Sequence, residues 1–242
     1  MRPLIEAELL RLRTVRMPLF VALGALMLVV ASNAAPIGGA APSSPEEVTA
    51  QLRGLVQMGV FFASAFAALS VGDGFQRGEV AMTYAAHPRR DRVAAAHSIA
   101  YAGVGVLLAA IASAAALAIV LPVAAADHVN TGFSATDIAL TIGRAAFTGA
   151  IFGAVGALLG ALTRHSTFAV GAAVVWEVVE TLITRGGTAD GEFGRYLPIQ
   201  LVGSATGLSN DVPAIAAMGI LLAYLAAFGL VVRQWALPRD LT

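Results

Sequence analysis

Long apolar runs constrain this chain more than any other feature of its sequence. Six stretches are mostly apolar, and each approaches or exceeds the length of about 20 residues that an α-helix needs to cross a bilayer. They cover approximately residues 17–35, 54–72, 98–125, 138–163, 167–184 and 212–233. The runs are continuous rather than alternating, which favours helices over the strands of a membrane barrel. The sequence therefore predicts an all-α polytopic membrane protein with six transmembrane helices.

The composition excludes several other classes of protein. Only 12% of the 242 residues are charged, whereas soluble domains average about 25%. The net charge is zero and no basic face is visible, so we expect no binding to nucleic acid. The chain has no cysteine, and its four histidines do not follow the spacing of a metal site. We therefore expect no metal, no cofactor and no catalytic residue on this chain.

All 15 basic residues are arginine, because the sequence contains no lysine. A P-loop uses a lysine to reach the nucleotide phosphates, and Schiff-base catalysis also needs a lysine amine. The chain therefore has no P-loop of its own. If the protein uses ATP, we expect ATP and Mg²⁺ to bind on a partner chain.

The distribution of arginines orients the predicted spans. If the N-terminus is cytoplasmic, 11 arginines face inward and 3 face outward, while Arg144 lies within the fourth span. This arrangement agrees with the excess of positive charge that cytoplasmic loops carry. Both termini are then cytoplasmic. The Ala- and Arg-rich, lysine-free composition also suggests a GC-rich bacterial genome, so we predict the bacterial cytoplasmic (inner) membrane as the location.

The chain reads as one transmembrane domain over residues 1–242. In the segment 1–16, Ile5, Leu9 and Leu12 share one face at helical spacing, which predicts an elbow helix on the cytoplasmic membrane surface. A cytoplasmic extension of the first span is the alternative.

Three connecting segments differ in character. Residues 36–53 are rich in Pro, Ser and Gly and are predicted to be a flexible loop. Residues 73–97 form the longest inward segment. Residues 185–211 form an outward segment whose apolar middle, 196–208, is too short to span the membrane. We expect this middle part to lie in the interface or to re-enter the membrane.

Four glycines share one face of the fourth predicted span. They are spaced by four, three and four residues: Gly149, Gly153, Gly156 and Gly160. Such a face lets another helix backbone approach closely. Packing within one subunit is one reading, and a dimer seam or a moving contact is the other.

Three charged residues lie inside predicted spans. Arg144 is in the fourth span, and Glu177 and Glu180 are in the fifth. Because an unpaired charge in hydrocarbon is costly, we expect Arg144 to pair with Glu177 or Glu180, or the three to line a wet cavity. The pair could serve helix packing, or it could be a polar element of a translocation path or an outer gate.

The most distinctive segment follows the second predicted span. This segment, residues 72–92, begins as a polar break, continues as a short amphipathic helix that Pro88 ends, and leads into an arginine cluster at the start of the third span. A basic loop that merely obeys the positive-inside rule is the simpler interpretation.

The whole layout resembles the ABC-2 type permeases, the membrane-spanning subunits of many bacterial ABC exporters. The likeness extends over nearly the full length and is mostly one of arrangement: a surface elbow helix, six spans and a patterned loop between spans two and three. The matching loop residues are Phe75, Arg77, Gly78, Pro88, Arg90 and Ala96. The acidic residue is displaced to Asp73, Glu79 replaces a common threonine, and His97 replaces a lysine. The stretch 196–198 is similar to the family's outward re-entrant segment.

The resemblance implies that this chain and a separate ATPase chain have different roles in one transporter. The loop helix would be a coupling helix docked on a cytoplasmic ABC ATPase (nucleotide-binding) subunit. The coupling residues would be Arg77, Glu79, Pro88, Arg89, Arg90 and Asp91. A second permease copy, as homodimer or paralogue, would complete the translocation pathway in the lipid bilayer. The chain itself would not be an enzyme, because ATP hydrolysis would belong to the partner.

An ion-coupled secondary transporter is the alternative function. It would use Arg144 with Glu177 or Glu180 as a proton or ion relay. The sequence shows no inverted repeat and no pair of Gly/Pro-broken midplane helices, which are typical of that class.

Overall fold

A computed structural model describes residues 44–86, 90–185 and 193–235, together with the single residues Glu6, Leu10 and Gly24. The described residues form helices and turns without any strand. The predicted first span, the elbow helix, Pro88 and Arg89 lie outside this part of the chain. Seven α-helices follow one another: α1 Pro45–Gln76, α2 Glu79–Ala86, α3 Arg90–Ala126, α4 Ala135–Thr163, α5 Ser166–Arg185, α6 Pro198–Thr206 and α7 Ala214–Trp235.

Within the described residues, five helices are long and apolar enough to cross a membrane. These are α1, α3, α4, α5 and α7, and they correspond to the second to sixth predicted spans. The expectation of an all-helical, multi-pass membrane protein is therefore confirmed. The count of six spans and the elbow helix stay predictions, because residues 17–35 lie outside the described part.

Helix α1 begins well before the position predicted from hydropathy. The expected flexible loop 36–53 is wrong from Pro45 onward, since those residues are helical. Ser44 caps the helix by accepting a hydrogen bond of 3.3 Å from the N–H of Glu47. Pro45 occupies the first turn, where it costs no hydrogen bond, and two acidic side chains there favour the positive end of the helix dipole. These local signals override the low hydropathy of the segment.

Helices α3 and α4 also extend beyond the predicted spans. Helix α3 begins at Arg90 rather than at residue 98, so part of the predicted inward loop is helical. Helix α4 begins in a capping box, in which the Ser134 side chain accepts from the N–H of Asp137 and the Asp137 carboxylate accepts from the N–H of Ser134. The capping box satisfies two backbone donors that hydropathy does not detect.

Helix α4 is the centre of the bundle. It packs against α3 and α1 most extensively and also contacts α5, α6 and α7. The largest buried cluster joins α1, α3 and α4 and includes Leu52, Val56, Leu117 and Ala145. Helices α5 and α7 lie at the periphery, where most of their apolar side chains are exposed. Such exposed apolar faces suit contact with lipid or with another membrane helix.

The apolar middle of the predicted outward segment forms a buried helix. Residues Gly194–Tyr196 make a short 3₁₀ turn, and α6 follows over nine residues. Helix α6 packs against α7, α4 and α1, and Leu201, Val202 and Ala205 are fully buried. Helix α6 therefore packs within the helix bundle, and its placement in the interface or as a re-entrant membrane segment stays a prediction.

Candidate functional site

The glycine face of α4 is occupied by two neighbouring helices of the same chain. Gly149 and Gly153 face α3, where Gly149 meets the backbone of Gly105 and Gly153 meets the carbonyl of Tyr101. In both cases a Cβ on the glycine would overlap backbone atoms. Helices α3 and α4 therefore cross almost backbone to backbone at this point.

The other half of the glycine face contacts α1. Gly156 lies against the carbonyl of Ser64, and a Cβ on Gly160 would come within 2.7 Å of the Ala68 carbonyl oxygen. Both approaches again involve backbone rather than flexible side chains. The four glycines thus join α4 to α3 and to α1, and they stabilise the core against which the peripheral helices rest.

Glu180 of α5 caps the N-terminus of α6. Its Oε1 atom accepts hydrogen bonds from the backbone N–H groups of Ile199 at 2.6 Å and Gln200 at 3.1 Å. The N-cap residue Leu197 offers no side-chain acceptor, and Pro198 has no N–H. The side chain of Glu180 is only 2% exposed. A carboxylate from another helix therefore satisfies donors that the local sequence leaves open.

Arg144 of α4 lies at the opposite end of the same short helix. Gly207 ends α6 in a left-handed conformation with φ of 79°, and a Cβ on Gly207 would be 2.6 Å from Nη1 of Arg144. The guanidinium is therefore next to the C-terminal end of α6. The negative end of the helix dipole favours a positive charge at this position.

The predicted ion pair between Arg144 and Glu177 or Glu180 is not formed. Within the described residues no carboxylate lies within ion-pair distance of Arg144. Glu180 and Arg144 instead occupy the two ends of α6, whose nine residues span about 13 Å. The positive end of the α6 dipole faces Glu180 and the negative end faces Arg144, because α6 folds back into the bundle between the two side chains. These partial charges take the place of the expected ion pair.

A mostly apolar cavity lies beside Glu177. Its volume is about 330 Å³, and all the helices except α2 and α3 contribute to its walls. Glu177 is one turn before Glu180 on α5, and its Oε2 atom is buried without a hydrogen-bond partner. The other polar residues in the walls are Gln57, Ser64 and Tyr224. Gln57 is already engaged, because its Nε2 donates to the carbonyl of Ile199 at 2.9 Å.

A second, polar cavity of about 250 Å³ surrounds Arg144. Its walls include Asp137, Thr141 and Thr206. This cavity is on the side of α6 away from Glu180. Arg144 and Glu177 therefore belong to different cavities, and the three intramembrane charges do not form one cluster.

The candidate coupling segment begins with a set of exposed charges. Arg77 forms an ion pair with Asp73, and its Nε lies 4.0 Å from Oε1 of Glu79. Gly78 adopts a positive φ of 76°, which permits the sharp turn between α1 and α2. Asp91 is exposed at the start of α3, which begins at Arg90. These residues lie at one end of the bundle.

The same end of the bundle is tied to α5. Ser166 Oγ donates to Oε1 of Gln76 at 2.5 Å, and Nε2 of Gln76 lies 2.9 Å from Nε2 of His165. The Arg164 guanidinium lies 5.9 Å from the ring centroid of Phe75. The end of α1 is thereby joined to the turn that starts α5, the helix that contains Glu177 and Glu180.

Sequence reasoning missed the walls of the apolar cavity. Gln57 is a polar side chain in an apolar run, which is a usable signal, whereas Trp176 and Tyr224 resemble ordinary lipid-facing aromatics. Among the described residues, no group of three His, Asp or Glu side chains could hold a metal ion.

Comparison with protein-family models and with curated protein sequences gives no relative from which a role could be transferred. No family model matches the chain, and no curated protein sequence matches it. What the helices establish is a multi-pass, all-α membrane protein.

Proposed function

We propose that this chain is the membrane-spanning subunit of an ATP-binding-cassette exporter. Two permease subunits would form the translocation pathway in a bacterial cytoplasmic membrane, and a separate ATPase would drive them. The absence of lysine supports a motor on another chain. The resemblance to ABC-2 type permeases supports the kind of motor. The substrate pathway would involve α5, because this helix borders the apolar cavity.

One observation supports the proposal most directly. The end of α1, directly before the turn that leads into α2, is joined through Gln76 and Ser166 to the start of α5. A motor that pushes on α2 would therefore move α1 and the α4–α5 turn together. Such a movement would change the cavity beside Glu177 and thereby alternate access to it.

Purification with the proteins encoded beside this chain tests the proposal. We expect a P-loop ATPase to co-purify, and we expect ATPase activity in the complex to fall when Arg89 and Arg90 are both changed to glutamate. Arg233→Glu combined with Arg239→Glu is the control, because it reverses the same number of charges near the C-terminus. If the chain purifies alone and moves substrate down an ion gradient, the exporter proposal is wrong.

An ion-coupled secondary transporter is the second candidate. The unpartnered oxygen of Glu177 in a cavity favours it. A relay through Arg144 as well would have to cross α6, because Arg144 lies at the other end of that helix. Transport by the purified chain in ATPase-free vesicles, dependent on an imposed ion gradient, would identify this class.

A further inference from the structure

The cavity beside Glu177 combines apolar walls with one acidic group. At about 330 Å³ it lies within the range of small-molecule sites. Most of its walls are aliphatic or aromatic side chains, including Val60, Phe152 and Leu221. None of the described residues that line it is basic. The described walls of the cavity therefore offer a carboxylate and no cation.

Glu177 is the acidic group of this cavity, and none of the described residues donates a hydrogen bond to its buried Oε2 atom. In Glu180, one turn later, Oε1 accepts from two backbone N–H groups and only Oε2 has no described partner. Burial of a carboxylate without hydrogen bonds or a counter-charge is unfavourable. A positively charged group in the cavity would relieve this cost. Glu180 cannot serve the same role while it caps α6.

Aromatic side chains add a second attraction for cations. Trp176 and Tyr224 line the cavity from α5 and α7, and both are partly exposed. The hydroxyl of Tyr224 donates to the carbonyl of Tyr196 at 3.3 Å, which holds the ring at the cavity wall. Aromatic faces attract organic cations, most strongly when water is excluded. The cavity borders the two most exposed helices, α5 and α7, so a ligand could enter from the membrane side.

We propose that this cavity binds an amphiphilic organic cation, with the apolar body against α4 and α7 and the positive charge at Glu177. As an assignment of the transported substrate class, the inference rests on the exporter function proposed above. As a binding site, it can be tested on the isolated chain. A lipid acyl chain is the competing occupant, and it would need no acidic group.

A matched pair of ions separates these occupants. Tetraphenylphosphonium and tetraphenylborate have nearly the same size and apolar surface but opposite charge. With the full chain in nanodiscs, and after binding to empty nanodiscs of the same lipid is subtracted, we expect the cation to bind to the protein at least roughly tenfold more tightly than the anion by calorimetry. Glu177→Gln should abolish this preference, and Asp127→Asn, a change of an exposed acid, should leave it intact. Equal binding of both ions, or no effect of Glu177→Gln, would overturn the proposal.

A fluorescence measurement keeps Glu177 in place, in case its replacement disturbs folding. The chain has two tryptophans, Trp176 at the cavity and Trp235 at the end of α7. In a Trp235→Phe variant, tetraphenylphosphonium should change the emission of Trp176 saturably. In a Trp176→Phe variant, the emission of Trp235 should show no saturable change. A saturable response from both tryptophans, or from neither, would contradict binding in this cavity.

The binding experiment and the co-purification experiment test the cation site and the exporter function separately. If tetraphenylphosphonium binds as expected but no ATPase co-purifies, the cation site stands and the exporter proposal fails. If an ATPase co-purifies but the cation shows no preference over tetraphenylborate, the exporter function stands and this inference fails.

Discussion

The carboxylate of Glu180 on α5 accepts a hydrogen bond of 2.6 Å from the backbone N–H of Ile199, in the first turn of α6. A side chain that hydropathy places inside a transmembrane helix, about one turn before its end, thereby serves as the N-cap of a different helix. Arg144 lies at the other end of that helix. Helix α6 therefore lies between two charged side chains that do not touch, the buried Glu180 at its start and the half-buried Arg144 at its end.

Removal of the cap should destabilise the fold. Glu180→Ala leaves two backbone N–H groups without an acceptor, and we expect it to lower the free energy of unfolding by about 2 to 3 kcal/mol. The measurement is unfolding in mixed micelles, followed by circular dichroism. Glu177→Ala is the control on the same helix and should cost far less, because Glu177 accepts no hydrogen bond at Oε2. Equal losses in the two variants would contradict the capping role.

The close crossing of α3 and α4 should not tolerate a methyl group. In Gly149→Ala the added Cβ would overlap the backbone of Gly105, so we expect a loss of about 1 to 3 kcal/mol in thermal or denaturant stability. Gly143→Ala is the matched control on the same helix, because open space surrounds that position. It should be neutral or slightly stabilising, since alanine favours helix. The interpretation fails if Gly143→Ala is as harmful as Gly149→Ala.

Loss of the link between α1 and α5 should uncouple transport from ATP hydrolysis. Gln76→Leu removes the hydrogen bond from Ser166 and the contact with His165. We expect the ATPase to remain bound while ATP-driven transport in vesicles falls about two- to thirtyfold. Gln234→Leu, at the exposed end of α7, is the control. Unchanged transport in Gln76→Leu would show that the link does not transmit movement.

Replacement of Arg144 should affect function more than assembly. Arg144→Leu removes the charge at the C-terminal end of α6, where a dipole contact contributes about 0.3 to 1 kcal/mol. We expect the variant to purify as a monodisperse protein, with transport clearly reduced because the polar cavity loses its only described basic group. Arg144→Lys should retain part of the activity. A variant that fails to assemble would assign Arg144 to structure alone.

The orientation can be tested directly because the chain has no cysteine. Met82 of α2 is exposed, as is Asp127 just beyond α3. Helix α3 has 37 residues, about 55 Å in length, so these two positions should lie on opposite sides of the membrane. In intact cells an impermeant maleimide should label Asp127→Cys, and should label Met82→Cys only after permeabilisation. The reverse pattern would overturn the predicted topology.

The sequence by itself determined the class of the protein and the positions of its membrane helices. Apolar runs predicted the five described spans, because the length of an apolar run can be read from the local sequence and must match the thickness of the bilayer. The spacing of Gly149 and Gly160 likewise indicated a face for close packing. The absence of lysine excluded a P-loop whatever the fold.

Only the tertiary structure decided what the intramembrane charges contact. Pairing Arg144 with Glu180 is a reasonable expectation from hydropathy, which treats the outward segment as a loop outside the bundle. Helix α6 instead folds back between them, and its dipole and free N–H groups supply the partners. Glu177 is left beside an apolar cavity for the same reason. These contacts depend on how segments distant in the sequence pack together, and local sequence patterns do not predict that packing.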